Sequence, residues 1–197
     1  MKRIELKFLT DNSHFKNNRS EIFFLHPPRV IKNIYFDTET LSYYRLSEEG
    51  VTPRLKVRLR SYDNSNIQNL EIKFTLPSVR DKVSISNFKY NKYNLISILR
   101  QFNINKLLKP KAKVTYTREY LKCKFGRLTY DYNIYYEKIN DNFDTISKKY
   151  YENNNVIELK TNNLHSNKQE IFNFVNIHES RNSKYCNAIE KIYFKSN

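Results

Sequence analysis

Charged and apolar residues alternate with period two in several short stretches of the chain. Between residues 54 and 60, Arg54, Lys56, Arg58 and Arg60 share one parity, and Leu55, Val57 and Leu59 share the other. Period two means an extended strand with opposite faces, here one cationic and one aliphatic. Like charges stacked on one strand face repel, so the arrangement needs carboxylates or a polyanion to answer it. The same pattern recurs at residues 3–9 (Arg3, Glu5, Lys7 against Ile4, Leu6, Phe8), at 70–74 (Glu71, Lys73) and at 156–160 (Glu158, Lys160). Residues 30–36, rich in β-branched and aromatic side chains, predict a further strand. Val83 and Ile85 predict another, and 112–121 with 127–132 predict a hairpin about Phe125–Gly126. The short polar link 63–66 predicts that 54–60 pairs with 70–74.

The period changes elsewhere. Leu95, Ile96, Ile98, Leu99 and Phe102 fit one helical face, as do Tyr185, Ala188, Ile189, Ile192 and Tyr193. Residues 41–46 predict a helical turn closed by Gly50 at positive φ. Residues 168–175 read as helical, and 11–21 as a polar, partly helical stretch. His26-Pro27-Pro28 predicts a rigid break, and 140–155 the most mobile loop. The expectation is one α+β domain spanning 1–197, with about eight mostly antiparallel strands. The apolar faces can be buried in a sandwich with charges facing solvent, or in a barrel with charges lining the interior. Pattern alone does not choose.

Charge changes the picture next. The 197 residues carry a net charge of +15, which points to an anionic partner such as nucleic acid, acidic headgroups or a phosphate compound. Richness in Lys, Asn, Ile and Tyr also follows from AT-biased coding, so the position of the cations decides, not their number. Cys123 and Cys186 have no metal spacing, and His14, His26, His165 and His178 form no metal-spaced pair. No apolar run is long enough for a membrane span. The expectation is a soluble, cytoplasmic chain without a signal peptide.

The order of motifs narrows this further. Glu5-Leu-Lys7-Phe, Asn33-Ile-Tyr-Phe-Asp37-Thr, Arg54-Leu-Lys-Val-Arg-Leu-Arg60, Leu70-Glu-Ile-Lys73, Tyr116-Thr-Arg118, Arg127-Leu-Thr-Tyr-Asp131, Ile157-Glu-Leu-Lys160 and Ser183-Lys-Tyr185 follow one another. The set resembles the VTC (vacuolar transporter chaperone) domain, the polyphosphate polymerase-like branch of the triphosphate tunnel metalloenzymes. The resemblance covers nearly the whole chain. It implies a closed antiparallel β-barrel with helices packed outside and charged faces lining a tunnel. It implies an ATP-dependent polyphosphate polymerase that moves the γ-phosphoryl group to a growing chain with Mn²⁺ or Mg²⁺. ATP and inorganic polyphosphate are the implied partners; specific nucleic acid is not, and any membrane link would come through a partner protein.

By the same resemblance, Arg58, Lys56, Lys73 and Glu158 are the catalytic candidates. Lys7, Arg54, Arg60, Lys82, Arg118, Arg127, Lys160, Arg181 and Lys184 are phosphate contacts, and Glu158, Glu5 and Glu71 are metal ligands or charge partners. Within the strand at 54–60, Lys56 and Arg58 are expected deepest and Arg54 and Arg60 nearer the openings. Glu71 has the alternative of pairing with Lys56 across the hairpin. Asp37 and Asp131 read as structural acids that order neighbouring cations. Tunnel hydrolases begin with an ExExK motif, and Arg3 occupies its first acidic position here. That departure favours the polymerase over a tunnel triphosphatase. A non-catalytic polyanion-binding module is the third possibility.

Overall fold

A computed structural model of the chain describes residues 4–11, 22–77, 79–162, 170–171, 173 and 179–195. The elements run β1 (Ile4–Thr10), β2 (Phe23–Asp37), α1 (Ser42–Glu48), β3 (Arg54–Tyr62), β4 (Asn69–Thr75), β5 (Arg80–Ile85), α2 (Lys92–Gln101), β6 (Lys109–Cys123), β7 (Gly126–Lys138), β8 (Tyr150–Tyr151), β9 (Asn155–Thr161) and α3 (Lys184–Tyr193). The hydrogen-bonded strand order is β1-β9-β7-β6-β2-β3-β4-β5, with β8 on β7. The pairs β1–β9, β2–β3, β3–β4, β4–β5 and β7–β9 are antiparallel. The α+β antiparallel class expected from the alternation is the observed one.

The chain packs as two compact units. The first comprises Met1–Val30, Thr115–Tyr135 and Tyr151–Ser183, the second Ile31–Val114, Tyr136–Tyr150 and Lys184–Asn197. In the first unit, Leu6, Phe8, Leu128, Ile157 and Leu159 are buried on the apolar parities of β1, β7 and β9, with Leu121 and Phe125. In the second, Leu55, Val57, Leu59, Leu70 and Ile72 bury the apolar face of β3–β4, and α2 lays Leu95 and Leu99 on that cluster. Each such side chain contributes roughly 1.5–3 kcal/mol on leaving water. Helix α2 starts where the Asn91 side chain accepts from Tyr93 N at 2.8 Å. Gly50 has φ +72°, as its turn requires.

One local expectation is corrected. Strand β2 does not break at His26-Pro27-Pro28 but runs through it. Its ladder with β3 covers only Ile31–Phe36, so the missing proline N–H groups fall outside that ladder. Residues 140–155 are mostly loop and turn, as expected. Asn140 Oδ1 accepts from Asn142 N at 3.0 Å and Asp144 N at 2.9 Å, and β8 follows. The polar stretch 11–21 lies, apart from Asp11, outside the described residues. Of 168–175, only 170, 171 and 173 are described, and they are helical.

Gly126 opens β7 at φ +142°. A Cβ there would lie 2.4 Å from the backbone oxygen of Lys160, so β7 and β9 approach as closely as they do only because this residue has no side chain. Gly126→Ala is therefore expected to lower the unfolding free energy by about 2–3 kcal/mol. Urea unfolding measures this, and an unchanged midpoint would contradict the close approach.

Candidate functional site: two charged strand faces

In the first unit, acids and bases sit opposite each other across β1 and β9. Glu5 registers with Lys160, and Lys7 with Glu158. Lys160 Nζ lies 2.6 Å from Glu158 Oε1 and 3.8 Å from Glu5 Oε2. Lys7 Nζ lies 3.4 Å from Glu5 Oε1 and donates to the Asn182 carbonyl at 3.1 Å. Arg118 grips Asp131 as a fork, Nε to Oδ1 at 2.6 Å and Nη2 to Oδ2 at 2.7 Å. Burial would lower the Arg118 pKa, but Tyr116, Asp131 and Glu158 outweigh it and raise it further. Burial likewise pushes Glu158 up, yet Lys160, Arg118 and Lys7 outweigh that and hold its carboxyl at about 2. Across β7, Thr129 registers with Glu158 and exposed Arg127 with Lys160. Arg181 is exposed.

The donor set can be tested for a divalent ion. Lys160 shows that one cationic position is shared by the carboxylates of Glu5 and Glu158. Two hard oxygen donors fit Mg²⁺ or Mn²⁺, which take their remaining ligands from water and phosphate. Among the described residues, no group of three or more His, Cys, Asp or Glu side chains is placed to hold a metal by itself. Residues Glu5 and Glu158 therefore fit an ion that arrives with phosphate.

The second unit has a different balance. Lys56 registers with Lys73 and Lys73 with Lys82, a row of three ammonium groups across β3, β4 and β5. Beside this row Arg58 faces Glu71. Glu71 Oε2 accepts from Arg58 Nε at 2.8 Å and from Nη2, and Oε1 accepts from Lys82 Nζ at 2.8 Å and lies 3.7 Å from Arg60 Nη1. Burial raises the Glu71 pKa, but Arg58, Arg60 and Lys82 more than reverse this, to about 2. The residue directly across the hairpin from Glu71 is Arg58, which pairs with it. Arg60 Nε donates to Asn33 Oδ1 at 2.9 Å. At 8% exposure Arg60 is buried, while Lys56 and Arg58 are half-buried. Arg54 is half-buried opposite Thr75, Lys73 is exposed, and Lys184 is half-buried at the start of α3.

Asp37 orders helices rather than cations. Its Oδ1 accepts from Thr38 N at 2.7 Å and Tyr43 N at 3.0 Å, and its Oδ2 from Tyr44 N at 3.0 Å. Tyr185 Oη on α3 also donates to Oδ2. Asp131 does order a cation, Arg118. His26 packs against Tyr120 with tilted rings, centroids 4.1 Å apart, a packing role. Arg3, His14, His165 and His178 lie outside the described residues.

Uncharged site residues escaped the sequence reading. Tyr35 Oη accepts from Arg58 Nη1 at 2.9 Å, and its ring lies 5.1 Å from that of Tyr185. Burial pushes this phenol up, but Arg58, Arg60 and Lys56 overcome it and hold it at about 8. The available signal was the shared parity of Asn33, Tyr35 and Asp37. Also missed were Lys111, which donates to Glu39 Oε2 at 3.1 Å, and Lys113, 3.4 Å from Glu137 Oε2.

The fold and these faces define an antiparallel α+β protein whose charged strand faces suit a polyanion. Similar solved structures include a putative adenylate cyclase from Bacillus halodurans (18% identity, TM-score 0.61, covering 98% of this chain and 100% of that one). A protein from Pyrococcus horikoshii OT3 is 16% identical, with TM-score 0.57 over 96% of this chain and 99% of that one. A putative adenylyl cyclase from Hippeastrum, described as having a dominant triphosphatase activity, is 15% identical, with TM-score 0.55 over 96% and 95%. At these identities the likeness is one of fold. The VTC domain family matches residues 2–99 and 80–193, and the chain belongs to that family. Membership of the tunnel metalloenzyme group implies a divalent metal. No curated protein sequence matches the chain. No helix among the described residues is long and apolar enough to cross a membrane.

Two titrations follow. The difference between alkaline absorbance titrations of wild type and Tyr35→Phe is expected to show one phenol ionising near pH 8; a difference centred near the ordinary value of about 10 would mean the cations do not reach it. Glu71 and Glu158 have folded pKa values of about 2, below their ordinary 4.5. Their stabilisation is fully present above 4.5 and is lost as pH falls from there towards 2. Stability measured across that window should drop less steeply in Glu71→Gln and Glu158→Gln.

Proposed function

We propose that the chain is an ATP-dependent polyphosphate polymerase. The terminal phosphate oxygen of a growing chain attacks the γ-phosphorus of ATP. The bond from that phosphorus to the β–γ bridging oxygen breaks, and ADP leaves with its electron pair. The attacking oxygen is already ionised, so no protein base has to remove a proton. A hydrolase must orient and activate water, which favours a carboxylate with a pKa raised towards neutrality.

The observation that carries the reading is that both site glutamates are tied to cations, Glu158 to Lys160 at 2.6 Å and Glu71 to Arg58 and Lys82 at 2.8 Å. Glu158 and Glu71 are held at about 2 by cations, far below the range of an effective base at neutral pH. They serve as anions that fix cations or hold a metal.

The roles divide by residue. Glu158, with Glu5, would hold Mn²⁺ or Mg²⁺, and Lys7, Lys160, Arg118, Arg127 and Arg181 contact phosphate oxygens. When bound, the ion would supply Lewis-acid neutralisation of phosphate charge. In the second unit, Lys56, Arg58 and Lys73 neutralise charge as it shifts between oxygens during transfer, and Arg54, Arg60, Lys82 and Lys184 hold the flanking phosphates. Glu71 keeps the Arg58 fork oriented. The buried thiols of Cys123 and Cys186, not joined in a disulfide, suit a reducing, ATP-supplied compartment, the cytoplasm.

A triphosphatase is the second reading, favoured by the activity described for the Hippeastrum protein. Incubation with ATP and Mn²⁺ separates the two. Long polyphosphate on a gel, with Arg58→Ala about 10²-fold slower, is the expected result. Phosphate release without chain growth would establish the hydrolase instead, and neither product would leave a polyanion-binding module.

A further inference from the structure

Thr129 Oγ1 is fully buried, in a residue 2% exposed, with no hydrogen-bond partner in the protein. An unpaired buried hydroxyl costs about 1–3 kcal/mol. Valine has nearly the same shape, suits a strand as well and would avoid that cost. The position therefore carries a polar atom that the folded chain does not use.

Its surroundings show what the hydroxyl addresses. Thr129 lies on the parity of Arg127 and Asp131 and registers across β7–β9 with Glu158, so these side chains share a face. Glu158 would be the obvious acceptor, but its Oε1 is taken by Lys160 and the hydroxyl makes no bond to it. Asp131 is occupied by the Arg118 fork. Lys7, Lys160 and Arg118 converge electrostatically on Glu158, and Arg127 registers with Lys160. A hydroxyl donor without an acceptor, set among cations, matches an anion with several oxygens on one centre, which is phosphate.

We infer that Thr129 Oγ1 donates a hydrogen bond to a non-bridging oxygen of a bound tri- or polyphosphate on the β1–β9–β7 face. Cations attract a phosphate chain at any position along its length. A single short, neutral donor on a stiff β-branched side chain accepts only one placement of a phosphate oxygen. Thr129 thus sets the register of the phosphate chain relative to Glu158. The inference rests on the reading that this chain binds condensed phosphate.

Thr115 provides the control. Its Oγ1 is also buried without a partner, but it sits on the opposite parity of β6 from Arg118. On β6 it shares the parity of Lys111 and Lys113, outside the β1–β9–β7 face, and should not affect phosphate binding on that face.

The test is calorimetric binding of inorganic tripolyphosphate, once in EDTA and once with Mn²⁺, with thermal unfolding of each ligand-free variant. Thr129→Val should bind about five- to tenfold more weakly in both arms. Thr129→Ser should stay within about twofold of wild type, and Thr115→Val should match it. Ligand-free Thr129→Val should melt at the wild-type temperature or above, because it removes an unpaired polar atom. Unchanged binding by Thr129→Val overturns the inference. So does a lower melting temperature for Thr129→Val that Thr129→Ser restores, which would mean a resident water already satisfies the hydroxyl. A loss confined to the Mn²⁺ arm overturns it too, placing the contact on the metal's ligand shell. Wild-type protein that binds no tripolyphosphate in either arm removes the underlying reading as well. Binding that Thr129→Val weakens, without any polymer formed from ATP, leaves this inference standing and removes only the polymerase.

Discussion

The second unit depends on one buried carboxylate answering several cations. Strand β3 puts Arg54, Lys56, Arg58 and Arg60 on one parity, and β4 and β5 add Lys73 and Lys82. Left alone, these charges would push the strands apart. Glu71 sits opposite Arg58 and uses both oxygens, on Arg58 and Arg60 and on Lys82 from the next strand. It therefore ties three neighbouring charges together and binds one end of the row Lys56–Lys73–Lys82 through Lys82. A buried ion pair is weak evidence of net stability. Its consequence here is geometric: the Arg58 guanidinium is held on one edge by Glu71 and on another by Tyr35.

The first unit solves the same repulsion in another way. Glu5 faces Lys160 and Lys7 faces Glu158, so each cation has an acid within the same ladder. This near-neutral face binds anions less strongly through net charge but offers carboxylate oxygens, which the β3–β4–β5 face commits entirely to Glu71's partners. The two faces therefore differ in what each offers a ligand. Cationic excess suits holding phosphate, and alternating acids and bases suit holding phosphate together with a hard metal ion.

Much of this was legible in the sequence because charge alternation is a strong signal. The strands at 54–60, 70–74 and 156–160, the hairpin between the first two, and the helices covering 94–102 and 183–194 follow from periodicity and the polar link at 63–66. The partners of the charges were not legible. Period two gives the face of Arg60 but not that Asn33, from a strand on the far side of α1, lies opposite it and buries it. Nor does it show that Thr129 meets Glu158, which is distant in sequence. Tyr35, Asn33 and Thr129 carry no charge, so a search for cations and carboxylates passes over them. The prolines of β2 misled for a related reason: they forbid a donor, which matters only where a ladder needs one.

Asp37 shows how helix packing reaches the charged face. It accepts hydrogen bonds from the first backbone N–H groups of α1, which Leu41 as N-cap residue does not cap with a side chain. It also accepts from Tyr185 of α3, so both helices are fixed to the end of β2 by a single carboxylate. Tyr185 in turn lies against Tyr35, with Lys56 Nζ 5.9 Å from its ring centre. The apolar contacts of Ala188, Ile189 and Ile192 therefore do more than cover the sheet. By seating α3 they set the Tyr185 ring, the ring backs Tyr35, and Tyr35 holds Arg58. In this unit the orientation of the central cation is a consequence of helix packing as much as of its ion pair.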